Sequence, residues 1–557
     1  MKRVFAAPLL ALPLAAIALS AQQRAPEIES IRQADMKADL FFLASDRMAG
    51  RLTDTPQNAI AADWVASRFE RLALVPVGDG GSYFHKYRLG VATLGSTNQL
   101  SAGSMPADWY PLRFSGSGTA RGDVVFVGYG ISSPARGYDD YSGVRQVDTR
   151  DGPSRREVAA PNAAIRGKIV IALDHEPGEN DPNSLFDGVV TSQASNQMHK
   201  AMAAQAAGAA AILFVSDVHN HPQQAGDGQL RGFWGAAPQP PRFPSYMLGA
   251  WLEKITIPAA QVSPALVQKL LASAGIGRTL EDLGKASDTA TGAQPLPLSG
   301  VQLEITTAVE RKMIDDRSIV GLIEGSDPKL KDELVIVCRH YDHDGVNGEN
   351  VLNGADDDGS GTVGVMEIAE AYALAAQKGQ RPKRSVLFAA WNSEERGLLG
   401  AWAYTERPLR PLENTVAVLN MDMIGRNEEV PENGGNRFRG LDVQTAESNA
   451  NAVNIIGTTR SESLKQVVEK ANTSIGLTLR LRYDNNISQL MRRSDHWPFL
   501  NRGIPAVWVH TGLHPDYHTA ADDADRINYP KMEKIARMVY QASWDLANQS
   551  GRPALNK

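Results

Sequence analysis

Histidines and carboxylates gather in five short strings in the second half of the chain. HYDHDG holds His340, Asp342 and His343, and NGADDDGSG holds Asp356, Asp357 and Asp358. WNSEERGLLG holds Glu394 and Glu395, NMDMIG holds Asp422, and HPDYHTAADD holds His514 and His518. Each string alone is ordinary, since an Asp-rich turn is usually a solvated loop or a helix cap. Together they offer imidazole nitrogen and carboxylate oxygen with no cysteine partner, a donor set suited to borderline divalent ions such as Zn²⁺. The chemistry in view is metal-assisted acid–base catalysis.

Short apolar runs at 333–338, 385–390, 415–419 and 506–509 predict strands. Each is followed by one of these strings. Helical spacing is predicted at 361–376, 463–471 and 531–547, and the Asp-rich string sits just before the first of these helices. Such alternation predicts an α/β sheet covered by helices on both faces. Ligands of open α/β sheets bind at the carboxyl ends of strands, so four strands ending in His or acid predict one shared site. Upstream, residues 28–74 carry helical spacing, clearest in AADWVASRFERLAL, until Gly78, Gly80 and Gly81 break it. From about residue 116 the runs become short and β-branched, as in DVVFVGYG and KIVIAL, with Gly/Pro-rich loops and one Ala-rich helix. A separate β-rich module ending near residue 294 is expected.

The strings HYDHDG, NGADDDGSG, NSEERGLLG, NMDMIG, SDHWPFLNRGIPA and YHTAADD, in that order, resemble the cocatalytic dizinc exopeptidases. That family includes bacterial leucyl-type aminopeptidases and glutamate carboxypeptidase-like enzymes. FFLASDRMAGR, from Phe41, is similar to the start of the same catalytic domain, and KAMAAQAAGAAAILFV resembles part of a protease-associated (PA) domain. The resemblance implies a mixed central sheet with helices on both faces, interrupted by an inserted β-rich PA domain. With a signal peptide at 1–21, read from its own residues, the expected division is an N-terminal part of the peptidase domain at 22–114, the PA domain at 115–294, and the main peptidase part at 295–557.

By position, the resemblance implies two Zn²⁺ per chain. His340 and Asp422 would hold one, Glu395 and His518 the other, with Asp356 bridging them and Glu394 as general base. Asp342 is expected to accept the second N–H of His340 in support of catalysis, and Tyr517 to donate to the developing oxyanion. Ser494, Asp495, His496 and Asp357 are expected to stand behind the ligands. The peptide Asp356–Asp357 is expected to be cis. The implied activity is an exopeptidase acting on peptides, read as an aminopeptidase because 506–511 carries no arginine for a substrate carboxylate. Arg492 and Arg493 lie upstream, so a glutamate carboxypeptidase-type enzyme stays open, as does a catalytically inactive receptor-like relative. The loop at 222–245 is too long for a simple connector. The middle module that carries it is expected to cover part of the pocket and restrict access to short peptides.

Composition narrows the classes further. The 557 residues include 57 Lys+Arg against 63 Asp+Glu, a net charge of −6, which excludes the basic excess of a nucleic-acid binder. With 43% hydrophobic and 22% charged residues, the chain is neither disordered nor fibrous. A single cysteine, Cys338, allows no intramolecular disulfide and is expected to be an apolar filler in its strand. His85, His175, His199, His219 and His221 lie outside the strings and are expected to be structural or surface residues. Lys2 and Arg3, the apolar run at 4–19, and Ser20 and Ala21 resemble a secretory signal too short and Pro-broken to span a membrane. Export to the periplasm or medium, with no membrane insertion after cleavage, is the expectation.

Overall fold

Four strands at the centre of the molecule are apolar over most of their length, the pattern of parallel strands covered on both faces. They are Leu334–His340, Ser385–Trp391, Thr415–Met421 and Ala506–His510, and every residue in them is buried. The computed structural model describes residues 24–103, 105, 107–141, 163–222, 245–432, 434 and 438–556. The signal-like segment 1–21 and all but the ends of the 222–245 loop lie outside them.

These strands form the middle of a mixed sheet. Leu334–His340 pairs in parallel with both Ser385–Trp391 and Thr415–Met421, which in turn pairs in parallel with Ala506–His510. Antiparallel strands flank this core: Val309–Ile323 and Phe84–Leu94 on one side, Ala452–Ile456 on the other. Helices Gly361–Gln377 and Tyr529–Asn548 pack onto the sheet with Gln33–Leu43 and Pro56–Arg71, joining Val335, Val337, Phe388 and Leu419 in one apolar cluster. Tyr529–Asn548 starts where its chemistry dictates. Asn528 caps the amide of Lys531, and Pro530 occupies the first turn, where a missing N–H costs nothing.

A second sheet of seven strands fills the middle of the chain. Gly118–Phe126, Ile169–Leu173, Ala211–Val215 and Ala259–Val262 run parallel, and the long strand Leu296–Thr307 closes one side. In sequence, this sheet draws on strands from Gln99–Ser101 to Leu296–Thr307, a wider span than the 115–294 expected for the inserted module. One short strand inside that span, Tyr246–Leu248, instead pairs with Phe84–Leu94 and forms the outer edge of the first sheet. No helix among the described residues is long and apolar enough to cross a membrane.

Candidate metal centre

The four central strands end side by side and deliver His340, the turn after Trp391, Asp422 and the loop after His510 to one edge. His340 is fully buried, and its Nε2 lies 3.2 Å from Asp357 Oδ1, 3.7 Å from Asp422 Oδ1 and 3.9 Å from Glu394 Oε2. On the other side of Asp357, His518 Nε2 lies 2.9 Å from Asp357 Oδ2 and 3.4 Å from Glu395 Oε2. The two oxygens of Asp357 thus face two imidazoles on opposite sides. His343 Nδ1 adds a contact of 2.8 Å to Glu395 Oε1.

This geometry corrects the expectation for the Asp-rich string. Asp356 is turned away: its Oδ1 accepts from Gly425 N at 2.6 Å and Ser360 Oγ at 3.0 Å, and its Oδ2 lies 3.3 Å from His514 Nε2. Asp357, expected to stand behind the ligands, lies where the sequence expectation put Asp356, with one carboxylate oxygen towards each imidazole. The cis peptide is Asp357–Asp358, one residue later than expected. The turn is held from below by Asp522, whose carboxylate accepts the amides of Asp356 and Asp357 at 3.0–3.2 Å. Asp358 points into the backbone, accepting from Gly361 N at 2.9 Å, Met423 N at 3.2 Å and His340 N at 3.3 Å.

The role of Asp342 also differs. Nδ1 of His340 lies 3.2 Å from the backbone carbonyl of Asp342, whose carboxylate is farther off at 3.7 Å. That carboxylate accepts the amides of Glu394, at 3.0 Å, and Glu395, at 3.4 Å. It therefore positions the Glu394–Glu395 turn rather than acting on substrate. Ser494 Oγ donates to Asp422 Oδ2, and Asp344 Oδ2 lies 3.1 Å from His518 Nδ1, so these ligands too are backed by a fixed partner. Asp495 is fully buried, and Asp422 and Asp342 act on its carboxyl, which burial pushes well up. His496 does not reach the centre. Burial holds it down to about 3, and it packs 5.6 Å from the Trp508 ring.

Several contributors carried no assigned role in the sequence. His343 and Asp344 lie inside the first string, where spacing gave no reason to choose them over their neighbours. Arg51 is a lone basic residue, yet its fully buried guanidinium donates to the carbonyls of Leu43, Tyr341, Asn353 and Gly354 at 2.6–2.9 Å. It ties the His340 loop to the Asp-rich turn. Cys338 is buried in its strand as expected, with Sγ 3.5 Å from Asn420 Oδ1.

The donors suit metal ions. Within the groups His340/Glu394/Asp422 and His343/Asp357/Glu395, the ligand atoms lie within 4.8 Å of one another. His340 Nε2, Glu395 Oε1 and both ring nitrogens of His343 are buried with no hydrogen-bond partner, which is costly unless an ion takes them up. Glu394 is buried beside Asp422 and Glu395, and burial together with these negative charges raises its carboxyl well above the usual range. A cavity of about 250 Å³ opens over this floor. Tyr517, Arg492, Arg493, His510 and Leu513 line it. Burial and the same carboxylates raise the Tyr517 hydroxyl well above its usual value.

Fold and edge together define an α/β protein with a His–carboxylate metal-binding centre at the carboxyl ends of parallel strands. Residues 318–543 match the model of peptidase family M28. "Probable glutamate carboxypeptidase AMP1" of Arabidopsis thaliana is 26% identical over 460 residues, covering 77% of this chain and 54% of that protein. "Probable zinc metalloprotease" of Pyricularia oryzae is 25% identical over 257 residues, 42% of this chain and 50% of that one. The chain thus spans about half the length of these relatives. Among solved structures, the aminopeptidase from Aneurinibacillus sp. strain AM-1 is similar at 15% identity and a TM-score of 0.46, over 95% of this chain and 97% of that one.

Proposed function

We propose that the protein is an exported zinc exopeptidase that removes N-terminal residues from short peptides with the help of two ions. The observation that carries this reading is Asp357, whose two oxygens face His340 and His518 on opposite sides. His340, Asp357 and Asp422 would hold one ion, and His518, Asp357 and Glu395 the other. Ions held there lower the pKa of water and polarise a peptide carbonyl.

Glu394 is the proton carrier. Its carboxyl lies 3.9 Å from His340 Nε2 and beside the proposed ligand Glu395, where it can take a proton from the attacking water and pass it to the leaving amine. Asp342 fixes the backbone of Glu394, so the carboxylate meets its target without first being ordered. Tyr517, on the cavity wall, donates to the oxygen that gains charge as the carbonyl is attacked. The acidic floor suits a free α-amine. Export rests on the signal-like segment at 1–21, and the middle region is read as a PA domain that narrows the entrance.

Arg492 and Arg493 on the same cavity wall favour a second reading, in which a substrate carboxylate is held and the C-terminal residue is released. Peptides blocked at either end separate the two. An aminopeptidase loses N-acetylated substrates and keeps C-terminally amidated ones. The reverse pattern establishes the carboxypeptidase. Hydrolysis of neither kind, with zinc loaded, overturns both.

A further inference from the structure

Two of the histidines outside the strand-edge strings meet in the second sheet. His175 follows the strand Ile169–Leu173 by two residues, and His221 follows Ala211–Val215 by six. These strands are parallel neighbours with Leu173 opposite Val215, so both loops leave the same end of the sheet. The two imidazoles stack with centroids 3.9 Å apart and ring planes at 28°. Glu179 reaches both: Oε2 lies 3.1 Å from His175 Nδ1, and Oε1 lies 2.5 Å from His221 Nε2.

The second contact is close but is not a hydrogen bond. Glu179 Oε1 and His221 Nε2 are both buried atoms without a hydrogen-bond partner. A protonated histidine paired with a carboxylate would aim its N–H at the oxygen. Here that alignment is missing, which leaves both atoms available as ligands to an ion. The ligand atoms of all three residues lie within 4.8 Å of one another.

We propose that His175, Glu179 and His221 form a binding site for one divalent transition-metal ion of the zinc class, separate from the centre at His340 and His518. Two imidazoles and one carboxylate, with no thiolate, are a borderline donor set. Three protein ligands leave room for a water, and side-chain exposures of 31%, 10% and 21% leave the site open to an ion from solvent. The frame around it is fixed. Gly178 N donates to Asp288 Oδ1 at 2.6 Å, His221 N donates to the carbonyl of Asp217 at 2.9 Å, and buried Lys200 donates to the carbonyls of Leu173 and His175.

The ion would also anchor the loop that continues towards the catalytic cavity. Glu176, next to His175, accepts from Ser192 N at 2.7 Å. Thr191 N donates to Gln489 Oε1 at 2.8 Å, and Gln489 Nε2 donates to the carbonyl of Val189 at 2.6 Å. Gln489 leads into the turn Leu490–Arg492, which lines the cavity.

The test is a metal count on the full chain, stripped with chelator, reloaded with Zn²⁺ and desalted, with Co²⁺ absorption as a second readout. His221→Ala and Glu179→Gln are each expected to hold one ion per chain fewer than the unaltered protein and to keep its far-UV circular dichroism. His219→Ala, whose side chain lies 3.9 Å from Asp288 and touches no ligand, is expected to keep the full count. The reading is a difference between proteins, so it holds whatever the number of ions at the His340 centre. Equal counts in all four proteins, or an equal loss in His219→Ala, overturn the proposal.

Discussion

Two His–carboxylate clusters sit at strand ends in this molecule, and they are built differently. At the first, three histidines, His340, His343 and His518, face Asp357, Glu394, Glu395 and Asp422, and several donors have a partner behind them: Asp342 behind the two glutamates, Ser494 behind Asp422, Asp344 behind His518. At the second, two histidines share the single carboxylate of Glu179, and main-chain hydrogen bonds supply the support. Excess carboxylate is what a reaction needs, because one acid beyond the ligand set is free to move a proton. A cluster whose single carboxylate is a ligand has no second acid of its own beside the ion. The difference separates a centre that turns over substrate from one that fastens a loop.

The largest effect tests the first cluster at its middle. Asp357→Ala is expected to lose both ions and all measurable peptidase activity, because each remaining set keeps only a histidine and one carboxylate. Asp356→Ala is expected to retain metal, since Asp356 bonds to Gly425 and Ser360. Elemental analysis of the two variants decides, and the opposite pattern would return the bridging role to Asp356. Next in size, Glu394→Gln is expected to lower kcat about 10²–10⁴-fold while the metal content stays, the mark of a lost proton carrier. An unchanged kcat would erase the distinction between the two clusters. Asp342→Asn should cost about 10–100-fold in activity or metal affinity, as for other residues that orient ligands. A drop as large as that of Glu394→Gln would make Asp342 a participant in the reaction.

The smallest effect lies in helix Gly361–Gln377. Burial and the nearby Glu370, Asp35 and Asp39 raise Glu367 from 4.5 to about 8. The folded chain therefore keeps a proton that the unfolded chain has released, and stability present below pH 4.5 is lost as the pH rises towards about 8. Glu367→Gln removes that loss. Its melting temperature is expected to exceed that of the unaltered protein by about 1–3 °C at pH 8 and by less at pH 5. A gain that does not grow with pH would place the charge in solvent.

The central strands were legible because burial on both faces demands unbroken apolar runs, and the ligand strings because they follow those runs directly. Helices such as Glu462–Asn472 and Tyr529–Asn548 lie within one or two residues of their sequence reading. Choosing among Asp356, Asp357 and Asp358 was not legible. Three identical side chains in one tight turn differ only in direction, and direction is set by Asp522, Gly425 and Met423 from distant segments. The buried role of Arg51 was hidden for the same reason, with most of its partners some 300 residues away. The pairing of His175 with His221 depends on two strands lying side by side, which no local pattern announces.

The strand Tyr246–Leu248 belongs by sequence to the middle of the chain and by hydrogen bonding to the first sheet. The middle region therefore cannot be lifted out as a cassette. A shortened chain that joined residue 98 to residue 308 would leave Phe84–Leu94, eleven residues long, as a bare border with its outward amides and carbonyls unpaired along Leu89–Val91. Such a border recruits strands from other molecules. Anyone paring this protein down to its peptidase core should expect a sticky product unless those three residues, or a substitute for them, come along.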